Sequence, residues 1–247
     1  TPERGIRALS RLIPPEKKQK PAQHTFPSTA GRSQMGLHES FRFLESHGFP
    51  VIISRLADSP GKAVHLAHTM GFPVALKIDS PDILHKSDAG GVRLNIQSAL
   101  GVRSAFQEMT DQVLSHHPGA RINGVVVSAM ASPGLELILG MNRDPQFGPL
   151  LLFGLGGTSV ELFRDVTMRL LPIDRAEAAK MIGEIRGAAL LKGYRGRQPV
   201  DEEALVDGLL RLAAIAEENP DIVEIDLNPA FAYPEGIVVA DARIMKA

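Results

Sequence analysis

Three groups of residues in this sequence could do chemistry together. Lys77 lies within the apolar run Val74-Ala75-Leu76-Lys77-Ile78, and a continuous apolar run reads as a strand buried on both faces. An ammonium there costs several kcal/mol unless it meets an anion or reaches solvent. Two readings stay open: an edge-strand lysine whose long stem carries its head out to water, or a lysine that binds an anion. Further on, Ser87-Asp88-Ala89-Gly90-Gly91 joins this strand to the next. Paired glycines let backbone N–H groups converge on an anion, although a Gly-Gly pair is most often a plain turn. In the third group, Glu224, Asp226 and Asn228 alternate, and a period of two puts all three on one strand face while Ile225 and Leu227 face the core. A hairpin tip near Pro234 and Glu235 brings Asp241 opposite Asn228. Oxygen donors in that number suit Mg²⁺, which keeps water and phosphate as its other ligands. The competing reading is a solvated strand face. A point charge, a backbone lid and a hard cation are together what a nucleoside triphosphate requires.

Other signals are weaker. His85 precedes the glycine turn with Lys86 beside it, so a phosphate-facing role competes with that of a solvated loop residue. The strand Gly124–Ser128 runs through Ala129 and Met130 into Gly134-Leu135-Glu136-Leu137. Such a connection suits adenine against the backbone of Ser128, Ala129 and Met130 with Glu136 on the ribose, yet by itself it is a β-hairpin. The turn Gly154-Leu155-Gly156-Gly157 resembles a dinucleotide fingerprint only loosely, because it lies between strands and not at a helix entry. The other seven histidines receive no role.

The elements that must position these groups alternate between the two periods. Strands are expected at 51–53, 72–78, 92–96, 124–128, 135–140, 150–153 and 167–171, and a closing hairpin over 221–228 and 237–242. Helices are expected at 63–70, along the face marked by Val102, Ala105, Phe106, Met109 and Val113, and at 176–191 and 201–218. Strict βαβ order is missing, which makes the fold α+β. Residues 1–13 read as a helix fragment ended by Pro14 and Pro15. Residues 14–33, rich in Pro, Lys, Gln and Ser, read as an exposed linker to a domain over 34–247.

Composition narrows the classes. With 247 residues, 44% hydrophobic and 22% charged, the chain has ample core for a globular protein. A net charge of −1, no Trp and two Tyr argue against nucleic-acid binding. No apolar run reaches about 18 residues, so none spans a membrane, and the charged N-terminus is no secretory signal. The absence of cysteine excludes thiolate chemistry and fits a reducing cytoplasm.

The strings GFPVALKIDSPDILHKSDAGGVRL, GLELILGMNRDPQFGPLLLFGLGG, LLKGYRGRQPVD and VEIDLNPAF…VVADARI, in that order, resemble the ATP-grasp domain of ADP-forming acyl-CoA synthetases, relatives of the succinyl-CoA synthetase β subunit. The resemblance implies a two-lobed ATP-grasp fold, with a smaller lobe at about 34–125 and a larger one at 126–247. It implies Lys77 and residues Ser87, Asp88, Ala89, Gly90 and Gly91 on the phosphates of ATP or ADP, Ser128, Ala129 and Met130 on adenine, and Glu136 on the ribose. Asn228 and Asp241 would ligate Mg²⁺, Asp226 would face a phosphohistidine, and His85 would relay the phosphoryl group. Ala129 departs from the Gln, Glu or Pro of many relatives. The implied partners are CoA-binding and CoA-ligase domains or an α subunit, which bring CoA and a carboxylic acid. Residues 1–13 resemble the end of such a CoA-ligase domain. A non-catalytic nucleotide module fused to a protein lysine acetyltransferase is the other reading.

Overall fold

Apolar residues at strand and helix spacing sort the chain into two antiparallel sheets, each with its own helices. The structure, a computed structural model, describes residues 32–157, 165–194, 196 and 198–247. The helix and linker expected over residues 1–31 lie outside the described residues.

The smaller sheet runs in the order β2 (Ser54–Ala57), β5 (Gly124–Ala129), β3 (Val74–Asp79), β4 (Val92–Ile96). Helices α2 (Pro60–Met70) and α3 (Ala99–His116) are capped by the Ser59 and Ser98 hydroxyls, which accept from the N–H groups of Lys62 and Gly101. All five residues expected on the buried face of α3 are buried. They share one core with Val74, Leu76, Ile78, Val125 and Val127. The intervening residues of β3 and β5 are buried too, because this sheet is covered on its second face by the rest of the molecule; Val126 belongs to the other core.

The larger sheet has the order β1 (Ser33–Gln34), β11 (Arg243–Lys246), β9 (Ile222–Ala232), β6 (Leu135–Asp144), β7 (Gly148–Leu155), β8 (Val166–Leu170), with β10 (Ile237–Val239) also paired to β9. Its core is closed by α1 (Leu37–Ser46), α4 (Arg175–Gly183), the short α5 (Ala188–Leu191) and α6 (Glu202–Glu218), whose Leu205, Leu209, Leu212 and Ala216 are buried.

Four expectations are corrected. Residues 51–53 are not a strand of their own. Val239 gives its N–H to Pro50 and accepts that of Ile52, and the Ile53 carbonyl then accepts from Ala129, so this stretch hands the chain from one sheet to the other. The helix expected over 176–191 breaks at Arg186 and Gly187, whose N–H groups are taken by the Asp165 carboxylate at 2.6 and 2.7 Å. A Cβ at Gly187 would lie 2.3 Å from the Leu155 side chain, so any larger residue at the break would have to displace Leu155. The lobe boundary moves from 125/126 to the connection after Ala129, since β5 belongs wholly to the smaller sheet. Ser33, expected in the linker, and residues 34–46, expected in the smaller lobe, build β1 and α1 against the larger sheet.

Two contacts tie these N-terminal elements to β3. The His38 N–H, in the first turn of α1, donates to Asp79 Oδ1 at 3.0 Å. Gln34 Nε2 donates to the carbonyls of Ser80 and Ile83.

Candidate functional site

The closing hairpin sets the metal-ligand geometry. Its tip falls at residues 233–236, with Ala232 opposite Ile237 and Ala230 opposite Val239. Arg243 opposite Asp226 continues the same register. Between these pairs the ladder is interrupted at Pro229, which has no N–H to give, while its carbonyl accepts from Ala240 at 2.9 Å and Asp241 at 3.3 Å. Asn228 and Asp241 therefore stand opposite one another in the gap, as the hairpin reading requires. Asn228 is exposed, and Ile225 and Leu227 are buried on the other face. A register shift between Leu137 and Leu139 returns Ala230 and Ala232 to the core and pairs Glu136 with Phe231, which puts Glu136 on the same sheet face as Asp226 and Asn228.

Lys77 comes from the other sheet. Its strand lies between β5 and β4, which overturns the edge-strand reading. Leu76 and Ile78 point into the smaller core, so Lys77 points the other way, across to the larger sheet. Its Nζ donates to the Ala240 carbonyl at 2.7 Å and lies 3.3 Å from Asp241 Oδ2. Lys86 Nζ takes the other oxygen, Oδ1, at 3.0 Å. Burial works against the charge on Asp241, yet Lys77 and Lys86, with the Ala242 N–H, hold its carboxyl below the usual carboxylate range. Burial likewise lowers the pKa of Lys77, against the pull of Asp241. Next to this cluster Arg243 pairs with Glu224 and lies 3.8 Å from Asp226. Burial pushes the Asp226 carboxyl above its usual range in spite of Arg243.

The glycine turn is folded on itself. The N–H groups of Ala89, Gly90 and Gly91 donate to the carbonyls of His85, Ser87 and Lys86, at 3.1, 3.1 and 2.7 Å. In this conformation those three amides serve the turn and do not converge on open space, unlike the anion nest expected from the paired glycines. Gly90 has φ +72°, a backbone conformation that favours glycine, and a Cβ there would push aside the Gln112 amide 2.4 Å away. Arg93 braces the turn by donating to Gly90 O and Gln112 Oε1. His85, Ser87 and Asp88 are exposed and Ala89 is buried.

Ser128 is buried on β5, with Ala129 and Met130 half-buried at its end, where the chain leaves the smaller sheet. Glu136 meets the second glycine-rich turn: its carbonyl accepts the Gly156 N–H at 2.7 Å, and a Cβ at Gly157 would lie 3.0 Å from its Oε2. Those glycines were given no role from sequence. Arg243 receives no role in the sequence reading, and Lys86 enters it only as a neighbour of His85. Lys86 sits in a loop, where no periodicity marks a direction. Arg243 had a readable signal, since it lies two positions after Asp241 and so shares its strand face.

No group of three or more His, Asp or Glu able to hold a metal exists among the described residues. Asn228 with Asp241 still fits Mg²⁺, which takes one or two protein oxygens and completes its shell with phosphate and water.

The ATP-grasp domain family matches residues 28–245. The chain belongs to the ATP-grasp family. It is 44% identical over 218 residues to the β subunit of an ADP-forming acetate–CoA ligase II of Pyrococcus furiosus, covering 87% of this chain and 92% of that one. A single-chain ADP-forming acetate–CoA ligase I of Archaeoglobus fulgidus is 42% identical over 84% of this chain, which spans 30% of it. The dinucleotide-forming acetyl-CoA synthetase 1 of Ca. Korarchaeum cryptofilum, solved with coenzyme A and Ca-AMPCP, is similar at TM-score 0.83 and 49% identity, covering 88% of this chain and 95% of that one. The α+β ATP-grasp expectation holds, and the comparisons lend no support to the acetyltransferase-linked module.

Proposed function

We propose that this chain is the nucleotide-binding module of an ADP-forming acyl-CoA synthetase, exchanging a phosphoryl group between ADP/ATP and a phosphohistidine in the reaction acyl-CoA + ADP + phosphate ⇌ acid + CoA + ATP. The observation that carries this reading is Lys77 of one sheet meeting Asp241 of the other, with Asn228 opposite. Lys77 supplies the point charge for the phosphates. Residues 87–91 cover them once the turn rearranges, and the backbone of Ser128, Ala129 and Met130 lines the adenine with Glu136 on the ribose hydroxyls. Asn228 and Asp241 hold Mg²⁺, which neutralises and orients the phosphates when bound. A fixed ammonium and fixed oxygen donors are what such a transfer needs, because its catalysis is mostly positioning and charge neutralisation.

His85 and Asp226 are the proposed catalytic groups. A neutral imidazole is nucleophilic at physiological pH, and His85 lies exposed beside the turn. Asp226 faces the incoming phosphohistidine. That histidine, the CoA site and the acid site belong to CoA-binding and CoA-ligase domains or to an α subunit, and residues 1–13 read as the tail of such a domain. The working compartment is the cytoplasm; no helix among the described residues is long and apolar enough to cross a membrane.

Calorimetry with ADP and Mg²⁺ tests the reading. Binding is expected to weaken at least about tenfold in Lys77→Ala, the loss of one charge-assisted contact, and equal affinity would remove Lys77 from the site. With the partner domains added, His85→Asn should lose acid-dependent ATP turnover while keeping nucleotide affinity; undiminished turnover excludes the relay.

A further inference from the structure

Two ammonium groups share one carboxylate at the meeting of the sheets. Lys77 and Lys86 each take one oxygen of Asp241, and the three side chains are 8, 11 and 17% exposed. Such a cluster blocks the oxygen that the proposed metal site needs. A divalent cation on Asp241 would stand a few ångströms from both ammoniums, and like charges at that range repel strongly where water is scarce. One lysine must therefore leave when the metal arrives. Lys77 is fixed in the middle of β3, and its Nζ keeps the Ala240 carbonyl at 2.7 Å as a second partner. Lys86 has no such anchor: its ammonium has Asp241 alone as an ion-pair partner among the described residues, and its backbone opens the turn of residues 86–91.

We infer that Lys86 is a second phosphate-binding lysine, held on Asp241 while the site is empty and transferred to the nucleotide phosphates when nucleotide and metal load. The inference rests on the nucleotide-site reading above. The transfer keeps each charge partnered at both stages. Before loading, the two lysines satisfy Asp241. Afterwards Asp241 and Asn228 face the cation and Lys86 faces phosphate. It can also open the turn. The Lys86 carbonyl accepts the Gly91 N–H at 2.7 Å, so where the backbone of Lys86 follows its ammonium, the bond that closes the turn is released and the Gly91 amide is freed.

The transfer predicts effects of opposite sign from one substitution. In Lys86→Met, ADP in the presence of Mg²⁺ should bind about tenfold more weakly by calorimetry, since one charged contact is lost. Mn²⁺ alone, followed by its paramagnetic effect on water, should bind the nucleotide-free variant more tightly than wild type, since Asp241 is partly unmasked. A lysine that merely holds the fold moves neither quantity this way, and absence of either change overturns the transfer. As a measurement independent of the variant's folding, amide hydrogen exchange at residues 86–91 of the unmodified chain should change on adding ADP with Mg²⁺; no change overturns the inference. Wild type failing to bind ADP, with Lys77→Ala no different, would instead sink the underlying reading. Wild type binding ADP while Lys86→Met binds it equally well would sink Lys86 alone.

Discussion

Asp165 and Asp241 are both carboxylates carried by the larger lobe, and they are satisfied in different ways. Asp165 accepts two backbone N–H groups, from Arg186 and Gly187. Those donors cannot leave without unfolding the turn they belong to. Asp241 accepts one N–H, from the adjoining Ala242, and is otherwise met by two side-chain ammoniums, one of them on a loop. A carboxylate tied to backbone is a joint. One tied to flexible side chains can change partners, which is what a metal ligand has to do.

The largest effect expected from this contrast is on stability at the joint. Asp165→Ala leaves the part-buried N–H groups of Arg186 and Gly187 without their acceptor and should cost about 2 kcal/mol, or roughly 6 °C of Tm. A loss under about 1 kcal/mol would place Asp165 with the exchangeable carboxylates. Next comes Asp241→Asn, which deprives two ammoniums of their counter-charge and should lower Tm by a few degrees. Adding Lys86→Met to it should restore part of the loss, a non-additivity of about 1 kcal/mol or more in a double-mutant cycle. Strict additivity would mean that Lys86 and Asp241 do not work as a pair.

A smaller effect is expected at Asp226. Burial raises its pKa, so the native state carries its charge at a cost that is relieved as pH falls. Asp226→Asn should thus leave Tm at pH 7 unchanged or slightly raised, while abolishing turnover in the assembled enzyme. A marked drop in Tm would show that the charge is needed to hold Arg243. The smallest effect belongs to the surface pair of Asp82 with Arg121, where Arg121 pulls the Asp82 pKa down to about 2. A depressed carboxyl stabilises above its unfolded value near 4 and loses that contribution as pH falls toward about 2. Asp82→Asn should shift Tm by no more than about 2 °C at pH 7, and by progressively less as pH falls toward about 2.

Much of this site was legible in the sequence because strands impose a period of two. Alternation placed Glu224, Asp226 and Asn228 on one face, and counting back from a tip near Pro234 set Asp241 opposite Asn228. The hydrophobic spacing of residues 102–113 likewise gave α3 its buried face. What stayed hidden depends on meetings between segments far apart in the chain. Nothing local says that Lys77, on an interior strand, reaches Ala240 and Asp241. The internal bonds of residues 85–91 were equally invisible, since a glycine pair permits both a closed turn and an anion nest. The break at Gly187 escaped because an isolated glycine in a helical pattern is tolerated until a neighbour such as Leu155 occupies its Cβ position.

The grip of Gln34 and His38 on residues 79–83 has a mechanical consequence. Both come from elements of the larger lobe, yet they hold the end of β3 by His38 N–H to Asp79 and Gln34 Nε2 to the Ser80 and Ile83 carbonyls. A swing of the smaller sheet about this anchored end pivots near Asp79. Lys77 sits two residues away, roughly 7 Å along the strand, so the lever arm is short. A rotation of about 10° displaces its backbone by only roughly 1 Å, too little to carry its ammonium from one ligand to another. With its pivot this close, β3 serves as a fixed jaw. The gripping stroke then falls to the loop that follows it, whose free length lies beyond the fulcrum.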